Sequence, residues 1–84
     1  MIIYYHPQFK TSYSNLSIQI KRKAERKETI FKNNPRDPRL NTHKLHGKLK
    51  KLWSFCVDKN SRIIFEFLDK EVVFLDIGTH SLYK

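Results

Sequence analysis

The chain has 84 residues, of which 17 are Lys or Arg and 8 are Asp or Glu, a formal net charge of +9. That length allows one small domain, residues 1–84, and excludes a large private pocket for a bulky cofactor. With 39% hydrophobic and 13% aromatic residues the chain still has enough apolar surface to fold, so it is no disordered basic tail. The charge predicts a polyanionic partner: nucleic acid, an acidic protein or an anionic membrane surface.

The lone cysteine, Cys56, excludes an intramolecular disulfide and a Cys₂His₂ or Cys₄ zinc site. No signal-peptide pattern and no apolar run of membrane-spanning length is present, so a soluble cytoplasmic protein is expected. The charge is unevenly spread. Residues 1–50 hold 12 Lys+Arg against 3 Asp+Glu, whereas residues 51–84 hold 5 of each. The excess clusters at Lys21-Arg22-Lys23-Ala24-Glu25-Arg26-Lys27 and again at Lys44, Lys48, Lys50 and Lys51.

Ile2-Ile3-Tyr4-Tyr5 predicts a first strand, ended by His6-Pro7. Pro7 suits the first turn of a short helix in which Phe9, Tyr13 and Leu16 share a face; Asn15 and Ser17 supply a break and a cap. A second helix is predicted from Ile18 to Asn33. Ile20, Ala24 and Phe31 fall on one side, Lys27 or Glu28 fills the missing step, and Lys and Arg dominate the other side. Asn34-Pro35 stops it. Residues 35–51 read as a polar, basic connection. Three strands follow. Leu52 to Val57 places Trp53, Phe55 and Val57 opposite Ser54 and Cys56; the alternation makes Trp53 and Phe55 core candidates rather than RNA stackers. Arg62 to Phe67 places Ile63, Phe65 and Phe67 opposite Arg62, Ile64 and Glu66, and Val72 to Ile77 is the most hydrophobic strand and the candidate centre of the sheet. Turns are expected at 58–61 and 69–71. The order is β-α-α-β-β-β, an α+β class with a small antiparallel sheet, both helices on one face and the other face left open.

Several short motifs stand in order: Asn34-Pro35-x-x-Pro38-x-Leu40-x-x-His43-Lys44-Leu45-x-Gly47, Trp53-Ser54-Phe55-x-Val57, Arg62-Ile63-Ile64-Phe65, and Phe74-Leu75-Asp76-Ile77-Gly78-Thr79-His80. Together they resemble the RelE/ParE superfamily of bacterial type II toxins, in the YafQ/RelE-like, plasmid-stabilisation branch. The resemblance implies a RelE-like fold and, for many members, endoribonuclease cleavage of mRNA in the ribosomal A site without a metal or other cofactor. It also implies a cognate antitoxin, acidic and disordered until bound, in a hetero-oligomer with the toxin. Two alternatives stay open: a ParE-like inhibitor of DNA gyrase, and an inert relative that only binds its antitoxin.

RNA cleavage without a metal needs a base for the ribose 2′-OH, cations for the pentavalent phosphate and an acid for the leaving 5′-oxygen. His80 resembles the C-terminal histidine used in acid/base chemistry, and its neutral-range titration suits either role. Arg62 resembles the arginine that contacts the scissile phosphate bidentately. His43 matches a histidine of the same connecting segment, with His46 three residues on as a second candidate. Lys44, Lys48, Lys50 and Lys51 are expected at RNA or ribosome backbone. Tyr83 resembles a terminal aromatic that stacks on a base, but Ser81-Leu82 alone separate it from His80, one residue fewer than the family pattern. Asp37 loosely resembles a YoeB-like glutamate, and an Asp-Pro turn explains it equally well. Cys56 reads as a small strand residue.

Overall fold

The computed structural model describes residues 1–47 and 51–79. Strand β1 (Ile2–Tyr5) leads into helices α1 (Pro7–Ser14) and α2 (Ile18–Asn33) and a 3₁₀ turn at Pro38–Leu40; strands β2 (His43–Lys44), β3 (Trp53–Cys56), β4 (Arg62–Leu68) and β5 (Glu71–Gly78) follow.

Local chemistry sets the helix ends. The His6 side chain accepts from the Gln8 amide ahead of Pro7, and the Ser17 hydroxyl accepts from the Ile20 amide, so each helix has an orphan N–H satisfied at its start. Asn34 leaves the helical region, as a residue before proline should.

The sheet has five strands in the order β1-β5-β4-β3-β2. β2 through β5 pair antiparallel, but β1 pairs parallel with β5, Ile2 opposite Glu71 and Tyr5 opposite Phe74. The sheet is therefore mixed, not purely antiparallel as expected, and has one strand more. The two helices return the chain so that β1 and β5 run the same way, while β2 is a two-residue strand inside the segment read as a connection. β5 has a neighbour on each side, but the middle strand is β4.

Ile64 pairs with Asp76 and Phe65 with Phe74, which leaves Leu75 as an extra residue in β5. This bulge shifts the inward phase by one, so Val72, Phe74 and Ile77 are all buried although Phe74 and Ile77 break the alternation. The core is aromatic. Phe31 of α2 is wholly buried, stacked on Phe55 at 4.9 Å and edge-on to Phe65 at 4.9 Å and Phe74 at 5.5 Å. Phe9 carries α1 onto Phe74 at 5.5 Å. Burial raises the Tyr5 and Tyr13 phenols above their ordinary value, and their hydrogen bonds, donated to Glu28 and Glu25 of α2, add to it. The second face of the sheet is not bare as expected: Ser54 and Ile64 are buried there.

Candidate functional site

Residues directly opposite in an antiparallel ladder point to the same side of the sheet. His43, Ser54, Ile64 and Asp76 pair across β2, β3, β4 and β5 in one row; the first three lie on the face away from the core helices, while Asp76, beside the β5 bulge, accepts from the Ser12 hydroxyl of α1 at 2.6 Å. The next row on that face is Cys56, Arg62 and Gly78. His43 and Arg62 thus share a face, two strands and two residues apart, about 12 Å between Cα atoms from ordinary strand spacings.

His43 is held in a defined state. Its Nδ1 lies 3.1 Å from the Asn41 carbonyl oxygen. A carbonyl only accepts, so Nδ1 carries the hydrogen, and in the neutral ring Nε2 keeps its lone pair. The Ser54 hydroxyl, wholly buried, approaches Nε2 at 3.5 Å, a long contact. Asn41 can present its carbonyl because it adopts the left-handed conformation, φ 50°, which asparagine tolerates better than most residues. Asn41 and Ser54 are the residues that sequence reasoning missed, since neither lies in a pattern that marks it. Arg62 is half-buried, and its Nη1 is enclosed without a hydrogen-bond partner among the described residues. A guanidinium N–H buried this way is a donor awaiting an acceptor.

The remaining predicted residues separate. Lys44 pairs with Trp53 and so points to the helix side of the sheet, away from its neighbour His43. His46, Lys44 and Lys51 are exposed. Phe55 is core as expected, whereas Trp53 is only half-buried, at the rim. Cys56 is half-buried beside Arg62 in the ladder. Asp37 caps the 3₁₀ turn and holds Arg39 through both carboxylate oxygens; the Arg39 guanidinium lowers its carboxyl to about 2. Burial pushes Asp58 up, but the Asn60 and Ser61 amides and Lys23 outweigh it and hold the carboxyl below its ordinary value. His80, Tyr83, Lys48 and Lys50 lie outside the described residues. Among the described residues no group of three His, Cys, Asp or Glu could hold a metal, and no helix is long and apolar enough to cross a membrane.

The fold is similar to that of YafQ from E. coli strain BL21(DE3), with a TM-score of 0.80 and 24% identity over 96% of this chain and 94% of that one. It is similar to the E. coli DinJ-YafQ toxin-antitoxin complex, TM-score 0.77 and 24% identity over 95% of this chain and 92% of that one. The YoeB/ParE toxin from Agrobacterium tumefaciens gives a TM-score of 0.79 at 13% identity, covering 95% and 99%. No curated protein matches the chain. The family model of the RelE-like toxin of the type II toxin-antitoxin system HigB matches residues 9–80. That match spans most of the chain, and the protein therefore belongs to the HigB-like family of RelE-type toxins.

Proposed function

We propose that this toxin is a metal-independent endoribonuclease that cuts mRNA in the ribosomal A site and so inhibits translation in the cytoplasm. One observation supports the reading most: a histidine whose Nε2 lone pair meets only a long contact with the Ser54 hydroxyl, and an arginine with a buried N–H that has no partner among the described residues, stand on the same sheet face. In the reaction, His43 Nε2 takes the proton of the ribose 2′-OH, and the 2′-oxygen bonds to phosphorus. Arg62 donates to the non-bridging oxygens of the pentavalent phosphate. The bond from phosphorus to the 5′-oxygen breaks and His80, as the acid, protonates that oxygen. The products are a 2′,3′-cyclic phosphate and a free 5′-OH. His46 is the second candidate for the base, Tyr83 stacks on a base near the cut, and Lys44, Lys48, Lys50 and Lys51 meet RNA backbone. The DinJ-YafQ complex supports an antitoxin partner for this chain, bound in a hetero-oligomer.

The test is primer extension on mRNA from cells expressing the chain or its His80→Ala, Arg62→Ala and His43→Gln variants. A-site cuts are expected with the wild type and are lost in the variants. Absence of any cut while DNA gyrase is trapped on DNA sinks the reading in favour of a gyrase poison.

A further inference from the structure

A second place on the molecule has the chemistry of RNA contact, around Lys44, Trp53 and Phe67, whose register puts them on the other side of the sheet from His43 and Arg62. A cleft of about 410 Å³ opens at the β2–β3–β4 end, lined by Lys44, Lys51, Trp53, Glu66 and Phe67. Trp53 is half-buried and packs edge-on to Phe67, ring centroids 5.4 Å apart. The Arg36 guanidinium lies 4.7 Å from the centre of the Trp53 ring. Lys44 and Lys51, both exposed, also line the cleft. Three cations therefore surround an aromatic floor and face one carboxylate. An acidic peptide would satisfy the cations but leave the floor unused. A nucleotide satisfies both, since its base has a flat face for stacking and its phosphate takes the lysines.

We propose that this cleft holds one unpaired nucleotide of an RNA strand, its base stacked against the Arg36–Trp53–Phe67 assembly and its phosphate held by Lys44 and Lys51. The choice of RNA as ligand rests on the cleavage reading above. Among the described residues β2 is an edge strand of the sheet, and its two residues point to opposite faces: His43 to the cutting side, Lys44 to the cleft. A strand that wraps this edge is anchored on one face and cut on the other.

Trp53 is the sole tryptophan, so its emission reports on the cleft directly. The full chain is titrated with a 2′-O-methyl oligouridine, which cannot be cleaved because it lacks the nucleophile. Saturable quenching is expected. The double variant Lys44→Ala/Lys51→Ala should bind about tenfold more weakly and lose about 1.4 from the slope of log affinity against log salt. Trp53→Ala, followed with an end-labelled oligonucleotide and checked for folding by circular dichroism, should weaken binding by about fivefold to a hundredfold. The proposal is overturned if bound oligonucleotide leaves the emission unchanged, if the double variant keeps both affinity and slope, or if polyglutamate quenches and the oligonucleotide does not. Quenching by a chain that cuts no mRNA would keep the cleft and remove the nuclease; cutting without quenching would do the reverse.

Discussion

The two faces of the sheet are built from the same strands, residue by residue in alternation, yet they obey different rules. On the helix side Phe55, Phe65, Phe74 and Phe31 meet ring to ring with almost no exposure. On the other side, buried polar groups stand beside exposed ones, and the Arg62 Nη1 is left without a partner among the described residues. One face maximises contact and the other keeps donors and lone pairs unspent. A group left unsatisfied costs stability, so a feature that weakens the fold marks the place where a ligand can repay it.

The sharpest way to break this contrast is at its centre. Phe31→Ala removes the ring that packs α2 onto three strands of the sheet and should cost about 3–5 kcal/mol, enough to unfold much of the protein in a urea titration. Arg62→Leu should act the other way round: RNA cleavage falls about 10²–10³-fold, while the urea midpoint holds or rises, because an enclosed unpartnered N–H is removed. If Arg62→Leu proves as destabilising as Phe31→Ala, the division of the faces is wrong. Asn41→Ala removes the side chain that favours the left-handed turn beneath His43, and cleavage should fall severalfold with little loss of stability. Ser17→Ala, on the core side, should cost about 1 kcal/mol in a thermal melt and leave the pH profile of cleavage in place. The smallest effect belongs to Asp58. Its folded carboxyl lies below the unfolded value, so its stabilisation is present above the unfolded carboxylate range and is lost as pH falls toward the folded value. Asp58→Asn should therefore lower stability slightly at neutral pH and flatten the acid side of the curve, so that variant and wild type converge at low pH.

The sequence was legible where the signals are local. α2 runs from Ile18 to Asn33 as its periodicity predicts, because Ser17 and Asn34-Pro35 punctuate it from outside. The hairpin at 58–61 is likewise set by its own Asp58, which accepts two amides of the loop. β2 escaped because two residues cannot show a period. The parallel union of β1 and β5 escaped because nothing in Ile2–Tyr5 names a partner so distant in sequence, and the bulge at Leu75 shows only once pairing is known. Arg62 was placed on the right face by alternation alone. His43 and Lys44 read as one basic stretch, and only the edge strand reveals that they serve opposite sides. Trp53 was assigned to the core on alternation and lies at its rim, because the helices do not reach that end of the sheet to cover it.

The parallel pairing of β1 with β5 also sets a timetable. Ile2 is synthesised roughly 70 residues before its partner Glu71, which at about 5–20 residues per second is a delay of several seconds on the ribosome. Until then β1 has no ladder to join, and β5 lacks one neighbour. The first strand made is thus among the last secured, and the sheet that aims Arg62 cannot close on a half-made chain. The closing of the sheet is thereby tied to the synthesis of β5, the strand on which both β1 and β4 depend for a neighbour.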